Sequence, residues 1–153
     1  MITLIKLSSK DAPKLEQFVS DTIKSLPYYN DAAKEAEIRK YTKDSFDKFI
    51  VFVAKSDETI IGFIIASLDD GLIWIDWIGV DSEFRGKGIA KQLLNHIEQY
   101  ARDNKVHKIW CDCRTNNSLA QMLWVSADYN KITTLINHWH GQDFYLWEKP
   151  LQR

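Results

Sequence analysis

The sequence predicts an α+β domain: a mixed β-sheet of six to seven strands, helices on both faces and one parallel strand–helix–strand unit. Three observations predict it. Stretches of strand character outnumber what a plain alternating α/β chain of 153 residues would use. The segment from Leu72 to Cys113 reads strand, helix, strand, which demands a parallel pair joined by a crossover. No repeat, low-complexity tract or Gly/Ser/Pro-rich linker divides the chain, so residues 1–153 read as a single domain.

Ile2 to Leu7 alternates apolar and polar residues, the period of a strand. Leu15, Phe18, Val19, Thr22, Ile23 and Leu26 fall at helical spacing after a start signal in Ser9-Lys10-Asp11-Ala12-Pro13, and the helix stops before Pro27. Asn30 to Lys43 is rich in Ala, Glu and Lys and predicts a second, more exposed helix. Phe49–Ala54 and Thr59–Leu68 are β-branched and aromatic runs around Lys55-Ser56-Asp57-Glu58, a hairpin signature. Asp69-Asp70-Gly71 turns the chain into Leu72–Val80, its most apolar stretch. Gly88–Arg102 is helical, with Ile89, Leu93, Ile97 and Tyr100 on one face. Val106–Cys113 is a strand, Leu119–Ala127 a short helix, and Lys131–Ile136 and Phe144–Trp147 are strands around the turn His140-Gly141-Gln142-Asp143.

Composition excludes several classes. With 45% hydrophobic and 27% charged residues the chain is ordinarily globular. Twenty basic against 21 acidic residues leave a net charge of −1, which argues against nucleic acid as partner. No apolar run approaches the ~20 residues of a membrane span, and the first residues lack a secretory pattern, so the expected location is cytoplasmic. Cys111 and Cys113 stand alone as a Cys-x-Cys pair and do not complete a zinc tetrahedron; two small buried hydrophobes is the plainer reading. Six tryptophans in so small a chain imply rings that line a cleft as well as filling a core.

The most informative local feature is Val80-Asp81-Ser82-Glu83-Phe84-Arg85-Gly86-Lys87-Gly88-Ile89-Ala90. A strand ends there and two glycines open an amphipathic helix, where unpaired N–H groups and the positive end of the dipole make an anion site. Arg85 and Lys87 add charge suited to a pyrophosphate. A P-loop needs Gly where Asp81 stands and Ser or Thr where Gly88 stands; a dinucleotide fingerprint starting at Gly86 needs a small residue where Lys91 stands. Both fail. A tight strand–helix turn with a cationic rim remains the structural alternative.

Arg85-Gly86-Lys87-Gly88-Ile89-Ala90 resembles Arg/Gln-x-x-Gly-x-Gly/Ala, the phosphate-loop signature of the GNAT superfamily of acyl-CoA-dependent N-acyltransferases. The strand ending Trp77-Ile78-Gly79-Val80 precedes it at the family's spacing, and Asn117-Ser118-Leu119-Ala120-Gln121-Met122-Leu123-Trp124 is similar to the family's Asn-x-x-Ala-x-x-Leu-Tyr segment. The resemblance implies a splayed sheet and acetyl-CoA as cofactor. It implies that Arg85, Gly86, Lys87, Gly88, Ile89 and Ala90 wrap the pyrophosphate and that the backbone of Ile78, Gly79 and Val80 pairs with the pantetheine arm. By the same resemblance, Asn117, Ala120 and Trp124 are expected to hold the arm's other side.

The chemistry such a site supports is direct attack of a neutral amine on the thioester, assisted by positioning and by a backbone N–H near Ile78 to Val80. A base must take the ammonium proton. Asp112 lies where many family members carry a glutamate, and Asp76 sits in an apolar strand where burial raises its pKa; each has the alternative reading of a strand carboxylate tied to a neighbour. The family tyrosine that serves the departing thiolate is Trp124 here, which donates a hydrogen bond but no proton. Tyr129 or Tyr145 is a replacement, and so is solvent.

For the acceptor, a small-molecule or peptide amine, the candidates are Tyr28, Tyr29, Trp74, Trp77, His138, Trp139, His140 and Asp143. Aromatic faces with Asp76, Asp112 and Asp143 suit a cation. The rings also read as core or as a homodimer contact. His138 and His140 share a face if extended, but no third metal ligand accompanies them. The leading reading is thus an N-acetyltransferase acting on a polyamine, amino sugar or peptide amine. The alternative is a non-catalytic acyl-CoA-binding module.

Overall fold

In the computed structural model, which describes residues 1–151, the chain runs β1 (Ile2–Lys6), α1 (Ala12–Lys24), α2 (Asp31–Lys40), β2 (Ile50–Ser56), β3 (Thr59–Asp69), β4 (Leu72–Val80), α3 (Ile89–Asp103), β5 (Lys108–Arg114), α4 (Ser118–Ser126), β6 (Asn130–Leu135) and β7 (Phe144–Pro150). Short 3₁₀ turns lie at Phe46–Lys48, Ser82–Phe84 and Trp139–Gly141. The strands form one sheet of seven in the order β1-β2-β3-β4-β5-β7-β6. Every pair is antiparallel except β4 with β5. The mixed sheet and its single parallel unit are those the sequence predicts.

Two cores form because β3 alternates. Phe63 and Ile65 face Leu15, Val19 and Ile23 of α1, which recur every fourth residue, while Ile64 and Ala66 join Leu93, Leu94 and Ile97 of α3. Each fully buried aliphatic side chain contributes about 1.5–3 kcal/mol, so the paired layers fix how the sheet sits between its helices. Cys111 and Cys113 are free and buried in the α3-side core. Among the described residues no helix is long and apolar enough to cross a membrane.

Boundaries differ from expectation where long-range contacts decide. Asp11, within the expected start signal, precedes α1 but makes no side-chain cap bond; its carboxylate accepts from Lys55 Nζ at 3.1 Å and from the Ser8 hydroxyl at 3.1 Å. The β2–β3 hairpin closes through two residues rather than four, with Ser56 opposite Thr59 and Asp57 in the left-handed region at φ 53°. The second helix ends three residues earlier than expected, and it is not simply exposed: Ala33 and Glu37 are buried.

Candidate active site

The cleft begins with an irregularity in β4. Ile65 pairs with Trp77 and Ala66 with Ile75, so Asp76 is an extra residue without a partner on β3. The bulge shifts the alternation by one. Trp74, Asp76 and Trp77 come to the α1–α2 side, where Trp77 packs among the α1 core, while Ile78 and Val80 pack on the α3 side. Ser67, opposite Trp74, donates its hydroxyl to Asp76 Oδ2 at 2.5 Å.

β4 and β5 pair only from Leu72–Trp74 to Lys108–Trp110 and then part. The Trp74 and Trp110 rings close this last rung edge to face at 6.3 Å. Beyond it opens a cleft of about 210 Å³. Of the residues expected at a site, Tyr28, Tyr29, Trp74, Asp76, Trp77, Ile78, Asp112, Asn117, Ala120, Trp124, Trp139 and His140 line it.

Both strand carboxyls feel burial. It pushes Asp76 up to about 6, against the Ser67 hydrogen bond and the Lys40 charge, with Asp112 adding repulsion. It also raises Asp112, opposed by the Trp139 indole, which donates to Asp112 Oδ2 at 2.7 Å. The Tyr28, Tyr29 and Tyr41 hydroxyls are all driven upward by burial and stay protonated at neutral pH. The Arg114 guanidinium stacks 3.4 Å from the Tyr28 ring, and His140 lies 4.4 Å from Tyr29 and 3.7 Å from Glu37.

At the cleft's other end, the β5-facing edge of Ile78–Val80 has no strand partner among the described residues, because β5 has already diverged. The connection to α3 is fixed by Asp81, whose N–H donates to Ile61 O at 2.8 Å and whose carboxylate accepts from Glu83 N at 2.9 Å. Gly86 and Gly88 both have φ 76°, and a Cβ built on either meets nothing within 4 Å. Open space therefore lies beside both glycines at the first turn of α3, whose leading N–H groups have no intrahelical acceptors. Arg85 Nε donates to Val80 O at 3.1 Å, and Lys87 stands 4.9 Å from the Phe84 ring.

Some expected residues are elsewhere. Tyr129 does not line the cleft: it is buried in the α3-side core, 5.4 Å from Trp124, its hydroxyl without a hydrogen-bond partner among the described residues. Asp143 also stays out, because its carboxylate accepts from Asn137 N at 2.8 Å and its carbonyl from Thr115 N at 3.1 Å, closing the loop before β7. Gly79 contributes backbone only; a Cβ there would stand 2.7 Å from Phe63. Asn117 Oδ1 is occupied as the cap of α4, accepting from Ala120 N at 3.1 Å. Tyr145, the other tyrosine considered for the thiolate, lies under Lys131 Nζ at 4.2 Å. Sequence reading missed Glu37, Lys40, Tyr41, Arg114 and Phe144, which also line the cleft. Ala33, Glu37 and Tyr41 recur at four-residue spacing, the one signal in the sequence that this polar helix has an inner face.

A sheet that parts after a short parallel pairing, with a glycine-lined helix start at its mouth, defines the N-acyltransferase class of fold. The chain belongs to the acetyltransferase (GNAT) family, whose model matches residues 15–128. It is 28% identical over 98 residues to the [ribosomal protein bS18]-alanine N-acetyltransferase of Haemophilus ducreyi, covering 63% of this chain and 66% of that one. It is 31% identical over 83 residues to the L-2,4-diaminobutyric acid acetyltransferase of Halalkalibacterium halodurans, covering 51% and 44%. The chain thus spans two thirds or less of the length of these curated relatives. Among solved structures, the PaiA N-acetyltransferase of Thermoplasma acidophilum in complex with coenzyme A superposes with a TM-score of 0.82 at 20% identity over 99% of each chain. The ribosomal-protein-S18-alanine N-acetyltransferase of Escherichia coli gives 0.79 at 18% identity over 100% of this chain and 96% of that one.

Proposed function

We propose that this chain is an acetyl-CoA-dependent N-acetyltransferase acting on a primary amine. The observation that carries the reading is the continuity of two features. The unpaired edge of Ile78–Val80 leads directly to Gly86 and Gly88, where side-chain-sized space stands open above the α3 N-terminus. An extended amide-bearing arm adds to such an edge as a strand does, and a diphosphate suits the N–H groups that follow. The residues present fit coenzyme A: Arg85 and Lys87 supply charge, Gly86, Gly88, Ile89 and Ala90 supply backbone donors, and Asn117, Ala120 and Trp124 flank the arm.

When bound, acetyl-CoA supplies an activated acyl carbon. The chain's own residues hold and deprotonate the nucleophile. Asp76 and Asp112 are the strand carboxylates that line the cleft and serve as candidate bases, and Tyr28, Tyr29, Trp74, Trp77 and His140 form aromatic walls for a cationic amine. The relatives named for an alanine N-terminus and for diaminobutyrate bracket the acceptor class, a peptide or a small amine. The tyrosines that line the cleft belong to the α1–α2 region, and Trp124 provides no proton, so departure of a thiol with an ordinary pKa near 8.5 proceeds without an obligatory side-chain acid.

That same lack of a tyrosine at Trp124 favours a second reading, an acyl-CoA-binding module without turnover. Thiol release from acetyl-CoA in the presence of polyamines, amino acids, aminoglycosides and N-terminal peptides tests both. Release with one amine class supports the enzyme; coenzyme A binding without release from any amine supports the module.

A further inference from the structure

The two carboxylates at the parting of β4 and β5 are each held by one side-chain donor, and the donors differ in kind. Ser67 Oγ sits 2.5 Å from Asp76 Oδ2, and Trp139 Nε1 sits 2.7 Å from Asp112 Oδ2. A hydroxyl both donates and accepts, so Ser67 keeps its bond to Asp76 whether that carboxyl is ionised or protonated. An indole N–H only donates, and its bond is charge-assisted, roughly twice as strong as a neutral one, only while Asp112 is ionised.

Trp139 is fixed in this role by its turn. His138 N donates to Gln142 O at 2.8 Å and Asn137 N to Asp143 Oδ1 at 2.8 Å. His140, next in the chain, adopts φ 51°, a left-handed conformation that persists where surroundings over-determine it, and it packs on Tyr29 beside Glu37. The turn is thereby tied to β5 through Trp139 and to α2 through His140.

We propose that Trp139 is a positioning residue that divides the work between the carboxylates: it holds Asp112 ionised as an anchor for the cationic acceptor and leaves Asp76, on Ser67, to take the proton. This rests on the N-acetyltransferase reading above. The acceptor ammonium gives one proton to Asp76, and the freed nitrogen bonds to the thioester carbonyl carbon. The C–S bond breaks with its electrons going to sulfur, which collects the second nitrogen proton; Asp76 then returns its own proton to water. Ammonium and acetyl thioester thus become amide, thiol and one released proton.

The titratable and charged groups around Asp76 agree with that task. α2 and the residue that follows it bring Glu37, Lys40 and Tyr41, and β5 brings Asp112, which is itself faced by His138 of the turn and by Tyr29. Lys40 is already paired with Glu37 at 2.7 Å, so the cation nearest Asp76 is engaged elsewhere.

Carboxyl ¹³C NMR of labelled protein, titrated from pH 4 to 8, tests this without any ligand, with Asp76→Asn and Asp112→Asn assigning the signals. Asp76 is expected to titrate near 6, with Asp112 losing its proton at lower pH than Asp76. Trp139→Phe should move the Asp112 midpoint upward by about one pH unit, and Trp139→His, which keeps a ring donor, should restore it. If Trp139→Phe does not fold, Ser67→Ala serves instead, displacing the Asp76 midpoint and sparing Asp112. With the most productive amine of the panel, Asp76→Asn should lower kcat about a hundredfold or more, while Asp112→Asn should act mainly on the amine KM. An Asp112 that titrates near 6 beside a fully ionised Asp76 overturns the proposal, as does a kcat loss confined to Asp112→Asn. Failure to bind coenzyme A strikes the N-acetyltransferase reading alone and leaves the titration to decide this one.

Discussion

Asp76 and Asp112 stand two residues past the same rung, Trp74 opposite Trp110, on strands that no longer pair. The parallel register brings them level, the divergence makes room between them, and the bulge at Asp76 keeps that carboxylate on the α1–α2 side together with Trp77. One irregularity of backbone therefore sets both the shape and the charge of the cleft.

The pH dependence follows from Asp76. A base must be ionised to act, so kcat/KM should rise with pH through about 6 and level off above it, as read from initial rates with saturating acetyl-CoA.

Stability should run the other way. The Asp76 carboxyl binds its proton more tightly folded than unfolded, so its favourable contribution is present at low pH and is lost as pH rises from 3.8 to about 6. Asp76→Asn should accordingly be more stable than the parent at pH 8, by on the order of 2 kcal/mol, with the advantage vanishing towards pH 4. Thermal melts at the two pH values check it.

Gly88→Ala separates folding from binding. At φ 76° an L-residue costs roughly 1–2 kcal/mol, and the new Cβ meets no protein atom, so backbone strain is the whole folding penalty. The methyl group would occupy the open space proposed for the diphosphate, and the KM for acetyl-CoA should rise about tenfold or more, beyond what the melting shift explains.

Gly79→Ala is a packing test. Its Cβ would lie 2.7 Å from the Phe63 ring, and overpacking of this kind costs about 1–3 kcal/mol. Phe63→Leu in the same chain should recover part of the loss, giving a coupling visible in a double-mutant cycle by urea unfolding.

The sheet and its helices were legible because their signals are plain: Leu93, Ile97 and Ala101 repeat on α3, and a Gly-x-Gly at Gly86 and Gly88 separates that helix from the apolar run of β4. The bulge at Asp76 was not, since no glycine or proline marks it and its cause is the register of β3. Tyr129 and Asp143 look like site residues in a linear reading. Only the fold reveals that one fills the core beside Trp124 and the other closes the loop before β7. Glu37 and Lys40 were hidden in a helix whose charged composition masks its inner face.

Titration calorimetry with coenzyme A and, in parallel, with pantetheine, which lacks the diphosphate and nucleotide, tests the Arg85–Ala90 cradle most directly. Coenzyme A should bind at least a hundredfold more tightly than pantetheine, and Arg85→Ala should weaken coenzyme A about tenfold without touching pantetheine. Equal affinity for the two ligands, or an Arg85→Ala variant that binds coenzyme A unchanged, would contradict it.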